Sequence, residues 1–344
     1  MKRIRLGVVG TNFISDWVIA GAREDARCEI AAVCSRTRER GEEFARKHGI
    51  PHVFTSLEEM TAADTVDAVY IATPNCMHAR QSIYCMSRGK HVLCEKPMAS
   101  NAAEVRAMIE ASHRYGVTLM EAMKSTLSPN FKAVREALPR VGRVRRYFAS
   151  FCQYSSRYDK FKEGVVLNAF RPELSNGAIM DIGVYAIYPA VALFGRPQSV
   201  EAQGVVLSSG ADGQGAVNML YDGMNATVLY SKISDSLLQS EIEGEAGNIL
   251  IDRIQTPTDV RFYPRSAPAS GRGARPEPEM LGVAALHDEY YYEIAEFIDL
   301  IEAGELSSQV NSHDVSLAVM EIVDEVRRQI GVRYSADDRP MVEM

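Results

Sequence analysis

Two hydrophobic rhythms alternate over the first 125 residues. Short continuous apolar runs stand at Ile4–Val9 and at residues 30–34, 68–72, 92–94 and 117–120. Between them lie stretches with helical apolar spacing, among them 37–48, 77–88 and Ala102–Tyr115. Runs rich in Val and Ile, separated by helices of about 12 residues, predict a parallel sheet with helices on both faces. Gly49 and Gly89 sit just past two of these helices and read as stops. After residue 140 the pattern becomes one strand after another, at 144–154, 200–207, 216–221, 226–232, 241–243, 249–252 and 260–263. Asp222-Gly223 is a hairpin signal between two of them. Strands joined by short turns predict a large, mostly antiparallel open sheet. Helical periodicity at 183–193, 290–303 and His313–Ile330 closes the pattern.

The fold class expected is therefore α/β, in two domains. A dinucleotide-binding domain spans 1–123. An α+β domain for substrate binding and oligomerisation spans 124–344, and its last helices are free to pack back on the first domain. Residues 264–278 (PRSAPASGRGARPEP) have little apolar surface to bury and read as a surface loop.

The first apolar run ends in Gly7-Val8-Val9-Gly10-Thr11-Asn12-Phe13-Ile14-Ser15. A dinucleotide site needs a tight turn here, then backbone N–H groups aimed at a pyrophosphate from a helix N-terminus. Gly10 supplies the turn. Asn12 and Ser15 stand where the usual fingerprint has glycine, and Asn tolerates a left-handed backbone better than most residues. The motif is weak alone and gains force from the strand–helix alternation that follows it. The second strand runs into Ser35-Arg36-Thr37-Arg38. A carboxylate at this point would bind the ribose 2′-hydroxyl of NAD, and none is present. Hydroxyls and guanidinium groups suit a 2′-phosphate instead. Arg36 and Arg38 could also be solvated charges opening a helix, but cations there oppose its macrodipole, so a local reason for them is wanted. The cofactor expected is NADP, with NAD possible.

Charge and cysteine content narrow the partners. The formal net charge is −7, with no basic stripe for a nucleic acid. The N-terminus lacks an extended apolar core, and no apolar run approaches the roughly 18 residues that span a bilayer. The six cysteines show neither Cys-x-x-Cys pairs nor metal-ligand spacing. Free thiols in a cytoplasmic protein without a metal centre are expected.

Glu95-Lys96-Pro97 follows a strand at the carboxyl edge of the predicted sheet, where α/β ligands bind. With it come Ala72-Thr73-Pro74-Asn75-x-x-His78, Met120-Glu121-Ala122 and Gly177-Ala178-Ile179-Met180-Asp181-Ile182-Gly183-Val184-Tyr185. These four motifs in this order resemble the glucose–fructose oxidoreductase, inositol dehydrogenase and MocA (Gfo/Idh/MocA) family, from about residue 4 to residue 335. Many members carry Asp-x-x-x-His in the last motif. The Asp-x-x-x-Tyr version here is similar to the dihydrodiol dehydrogenase and glucose–fructose oxidoreductase branch.

The resemblance implies an oxidoreductase moving hydride between a nicotinamide and a CH–OH or C=O group of a sugar, polyol or cyclic diol. It implies Lys96 beside the nicotinamide and the substrate hydroxyl, and Tyr185 as the acid–base residue. The chemistry agrees. A free tyrosine, with a pKa near 10, is a poor base at neutral pH, and a lysine ammonium would lower that pKa. Asp181, four residues before Tyr185, shares a face with it if both are helical, and is placed to orient the substrate or Lys96. Cofactor contacts are expected from Gly10, Thr11, Asn12, Phe13, Ile14, Ser35, Arg36, Arg38, Thr73, Pro74, Asn75, His78, Glu95, Lys96 and Ala122. His78 reads as a packing or helix-start residue rather than a base. Lys124, Tyr154, Arg157 and Asn168 are candidates for the polyhydroxylated substrate, with Tyr158 beside them. Tyr290-Tyr291-Tyr292 reads as helix packing. A homodimer or homotetramer is expected, since few helices remain to cover both faces of the second sheet. A non-catalytic NADP-binding regulator of the same fold is the alternative; intact Lys96, Asp181 and Tyr185 favour the enzyme.

Overall fold

A computed structural model describes residues 3–265 and 277–338. Most of the expected 264–278 loop lies outside the described residues. The chain divides into two compact units. One holds the first 124 residues together with 286–320 and the segment from 335; the other holds 125–285 and 321–334.

The first unit builds up as β1 (Ile4–Val9), α1 (Phe13–Ala22), β2 (Cys28–Cys34), α2 (Arg38–His48), β3 (His52–Phe54), α3 (Leu57–Ala62), β4 (Ala68–Ile71), α4 (Asn75–Ser87), β5 (His91–Glu95), α5 (Ala102–Tyr115) and β6 (Leu119–Ala122). Its six strands pair in the order β3-β2-β1-β4-β5-β6, and every pair is parallel. Such a sheet is buried on both faces, which is why its strands read as unbroken apolar runs. Val8, Val33, Val69, Leu93 and Leu119 are all fully buried. The strand order reverses beside β1, and the ligand crevice of such sheets opens at that point. Side chains of Asn12, Thr37 and Asn101 cap α1, α2 and α5, and Gly49 and Gly116 close α2 and α5 in the left-handed conformation.

The second unit follows a short helix, α6 (Lys124–Leu127), with α7 (Pro129–Ala137), β7 (Val144–Cys152), α8 (Ser156–Lys162), α9 (Val184–Phe194), β8 (Ser199–Val206), β9 (Asp212–Tyr221), β10 (Met224–Ser231), β11 (Ser240–Gly244), β12 (Gly247–Ile251), β13 (Val260–Pro264) and β14 (Glu279–Met280). Its sheet runs β14-β13-β12-β11-β7-β10-β9-β8. All pairs are antiparallel except β7 with β10, whose register matches Ala149 to Val228 in parallel. One face carries Tyr147, Ala149, Val217, Ala226, Val228, Ile242 and Ile249, all fully buried.

The helices α10 (Tyr291–Ala303) and α11 (His313–Ile330) follow, and a short helical turn at Ser335–Asp338 comes after them. Residues 286–320 belong with the first unit. The reason is close backbone packing. A Cβ on Gly21 of α1 would lie 2.7 Å from the carbonyl carbon of Tyr290 at the start of α10. Only glycine permits that approach.

No helix among the described residues is long and apolar enough to cross a membrane. All six cysteines are free, with Cys34, Cys85 and Cys94 buried.

Candidate active site

Gly10 turns the chain between β1 and α1 at a φ of 107°, and a Cβ there would stand 2.5 Å from the Ala72 carbonyl oxygen at the end of β4. Asn12 corrects the expectation of a left-handed residue. It is extended (φ −96°, ψ 177°) because it is the N-cap of α1. Its Oδ1 accepts from the Ile14 N–H at 2.9 Å and its Nδ2 donates to the Ala72 carbonyl at 3.0 Å. Ser15 is fully buried and donates to the Gly10 carbonyl at 2.9 Å. Gly10, Asn12 and Ser15 therefore supply the turn, the cap and the close helix packing. Thr11 and Phe13 flank the cap, with Phe13 half exposed and edge-on to Trp17 at 5.0 Å.

Ser35 is buried at the end of β2, its N–H given to the Phe54 carbonyl. Thr37 caps α2. Arg38 lies 3.9 Å from Glu42 one turn on. Arg36 is exposed and has no ion-pair partner among the described residues. A cation with no protein counterion, beside a buried hydroxyl and a glycine-lined turn, fits a phosphorylated dinucleotide at this edge.

The loop Thr73-Pro74-Asn75 leads from β4 into α4, and the Thr73 hydroxyl donates to Gln81 at 2.6 Å. His78 is fully buried. Its Nε2 lies 2.8 Å from the Thr73 carbonyl and its Nδ1 3.0 Å from the Pro97 carbonyl. Burial holds its pKa below the usual histidine value. A neutral imidazole carries one N–H and donates to only one of these carbonyls, and His78, enclosed between the 73–75 loop and the Glu95-Lys96-Pro97 loop, is badly placed to take a proton from solvent or substrate.

Glu95 ends β5 and is buried, accepting from the Tyr70 hydroxyl and from the Lys96 N–H at 3.2 Å. Burial raises its pKa and the Lys96 ammonium opposes that rise. Ala122 ends β6 in register with Glu95. Glu121 accepts from the Met98 N–H at 2.8 Å, and burial pushes its carboxyl up to about 7. Lys124 pairs with Glu289 at 2.7 Å and lies 4.4 Å over the Tyr290 ring. The tyrosine run thus includes a cation platform that the sequence did not disclose. Glu293 was not singled out either. It is fully buried, neither carboxyl oxygen meets a hydrogen-bond partner among the described residues, and burial followed by the charge of Glu95 pushes its pKa well up.

In the second unit, Asp181 and Tyr185 do not share one regular α-helix. Residues Ile179–Gly183 form a π-helical turn that carries Asp181, and Tyr185 sits in the first turn of α9. One residue is wound in extra, a form that recurs at functional sites. Asp212 of β9, fully buried, accepts from the Ile179 N–H at 2.7 Å and anchors this turn, and burial raises its carboxyl to about 6. Tyr185 is half-buried, edge-on to Phe151 at 5.8 Å. Asp181 forms an ion pair with Lys232, a residue that the sequence pattern places at the end of a strand. The available signal was a lysine closing an otherwise apolar alternation in β10.

Of the substrate candidates, Tyr154 and Tyr158 fall in an aromatic cluster of the same unit, whereas Lys124 belongs to the first. Tyr154 donates to Asp159 at 2.7 Å and meets Tyr158 at 5.6 Å. Tyr158 packs on Phe170 at 5.9 Å, and Lys232 lies 5.7 Å from that same ring. Arg157 opens α8, and Asn168 is exposed on the turn before Phe170. Among the described residues, no group of three or more His, Cys, Asp or Glu side chains is arranged to hold a metal.

Residues 4–123 match the oxidoreductase family with an NAD-binding Rossmann fold, and residues 131–250 match the Gfo/Idh/MocA C-terminal domain. The chain is 49% identical over 334 residues to the scyllo-inositol 2-dehydrogenase (NADP(+)) IolU of Bacillus subtilis, covering 97% of this chain and 99% of that protein. It is 31% identical to the trans-1,2-dihydrobenzene-1,2-diol dehydrogenase of Danio rerio, covering 90% and 91%. Among solved structures, a 3-ketoreductase from Actinomadura kijaniata in complex with NADP superposes with a TM-score of 0.80 at 24% identity, covering 96% and 98%. The aldose-aldose oxidoreductase of Caulobacter crescentus gives 0.82 at 21%, covering 95% and 97%. The chain belongs to the Gfo/Idh/MocA family and is an NAD(P)-dependent oxidoreductase acting on CH–OH groups of the sugar and polyol type.

Proposed function

We propose that this enzyme uses NADP and oxidises a ring hydroxyl of a cyclic polyol, an inositol being the leading candidate, with Tyr185 as the proton-transfer residue. The observation that carries the cofactor choice is the end of β2, where Ser35, Arg36 and Arg38 stand without a carboxylate. The 49% identity to a protein named as an NADP-dependent scyllo-inositol dehydrogenase supports both cofactor and substrate class.

The residues present fit the cofactor. Gly10, Thr11, Asn12, Phe13 and Ile14 would hold the pyrophosphate at the start of α1, and Ser35, Arg36 and Arg38 the 2′-phosphate. Thr73, Pro74, Asn75, Glu95, Lys96 and Ala122 would line the nicotinamide end, with His78 bracing two of those loops. The nicotinamide supplies the acceptor for the hydride that leaves carbon. The chain's residues handle the proton: as C–H hydride departs and C=O forms, the hydroxyl proton passes to the Tyr185 oxygen. Lys96 serves the same hydroxyl and favours the phenolate by its charge. Asp181 orients that hydroxyl.

Tyr185→Phe keeps the ring and deletes the proton. Turnover of scyllo-inositol or another ring polyol with NADP should fall by about 10²–10⁴-fold while NADP affinity is unchanged. Lys96→Met should also lower turnover, and the double variant should lose much less than the product of the single losses. Retention of more than about a third of wild-type turnover by Tyr185→Phe, with chemistry rate-limiting, would make Tyr185 a packing residue. NADP binding without turnover on any polyol would favour the regulator.

A further inference from the structure

Lys232 is an unusual residue for its position. It follows the last residue of β10, where a lysine ordinarily extends into solvent, yet its side chain is only 4% exposed. Its N–H is held by the Gly213 carbonyl at 2.8 Å, so the stem is fixed at the sheet. Its ammonium meets Asp181 on the π-helical turn and lies near the face of Phe170. A buried charge is retained only with a partner of opposite sign. The pair therefore belongs to both residues, an anion and a cation held together at the π-helical turn.

That matters for the residue four positions on. Asp181 on the π-helical turn and Tyr185 in the first turn of α9 are four residues apart on continuous helical backbone, about one turn along the axis. A lone carboxylate at that range opposes formation of a phenolate and raises a tyrosine's pKa, and a cation does the reverse. We propose that Lys232 is a positioning residue that neutralises and fixes Asp181, so that the Asp181–Lys232 pair, built wholly within the second unit, sets the proton affinity of Tyr185. The proposal rests on Tyr185 being the proton-transfer residue.

Other ionisable groups pack on the same turn. Asp212 lies beneath Ile179, with Tyr230 of β10 beside it. Cys152 ends β7, and Tyr188 lies on α9. Burial raises the Asp212 carboxyl to about 6 and holds Tyr230 and Cys152 above their ordinary values. Asp212 is thus already ionised through the neutral and alkaline range where a phenol-dependent limb falls. The two charges of the pair are the ones that can be removed without touching that anchor.

The test is the pH dependence of kcat/KM for polyol oxidation. The rate rises with pH as Tyr185 deprotonates. Lys232→Met removes the cation paired with Asp181 and should move that limb upward by on the order of one pH unit. Asp181→Asn removes the anion and should move it downward. The Asp181→Asn/Lys232→Met double variant removes both charges and should return the limb toward wild type, and Lys232→Arg should hold it there. Where a variant turns over too slowly, phenolate absorbance can be titrated in its place, taking each protein with and without Tyr185→Phe. Urea midpoints of each variant separate lost folding from a shifted titration. Opposite shifts in the two single variants support the proposal. Lowered stability or kcat with an unmoved limb overturns it and leaves Lys232 a structural residue. A wild-type limb that survives Tyr185→Phe would instead bring down the parent reading, a distinguishable failure.

Discussion

Arg36 is an exposed guanidinium at the mouth of a parallel sheet, next to a buried serine hydroxyl. In the NADP reading it makes charge-assisted contacts to the 2′-phosphate. Arg36→Ala should weaken NADP binding by about 1.5–3 kcal/mol, the usual worth of a hydrogen bond to a charged group, and leave NAD nearly unaffected. Calorimetric titration with both cofactors checks this; equal losses would make Arg36 structural. Such residues are legible in sequence because their chemistry is local: Gly10, Ser35 and Arg36 follow directly from the ends of apolar runs. Lys232 and Glu293 are not. A lysine ending a strand and a glutamate inside a helix normally face water, and only tertiary packing buries these two. Asn12 was read for its backbone tolerance, whereas its side chain caps the helix, a role Asn fills at least as often.

At the scale of the element, the π-helical turn at Ile179–Gly183 depends on its anchor. Asp212 is raised by burial to about 6 in the folded protein, above the ordinary carboxylate value. The folded state therefore binds this proton more tightly than the unfolded chain. Asp212's contribution to stability is fully present below pH 4 and is lost as pH rises through 6. Asn keeps an oxygen for the Ile179 N–H and does not titrate. The stability of Asp212→Asn relative to wild type should therefore improve by roughly 1–3 kcal/mol between pH 4 and pH 7. Urea midpoints at the two pH values measure it, and a constant difference would mean that Asp212 does not titrate in this range. Sequence periodicity exposed most strands and the long helices, because both depend on local patterning. It could not expose the β7–β10 pairing. Those strands are separated by more than seventy residues of chain, and a connection that long permits a parallel match that no hairpin allows. Nor does a period reveal an inserted residue in a helix.

For the whole molecule, the second sheet has a second face as well as the buried one. Along β8 and β9 it presents Val205 and Leu220, both about half exposed. Apolar side chains on a wide sheet favour burial against a like surface. We expect a homodimer or homotetramer by light scattering at micromolar concentration, and a monomeric mass would dismiss the idea. The other whole-molecule feature is the contact of Gly21 with Tyr290, which makes α10 part of the first unit. Domains commonly fold in the order in which they leave the ribosome. Here the first strands are synthesised early, but the segment that packs on Gly21 of α1 follows the entire second sheet, so the dinucleotide-binding half completes its packing only after the second unit has been made.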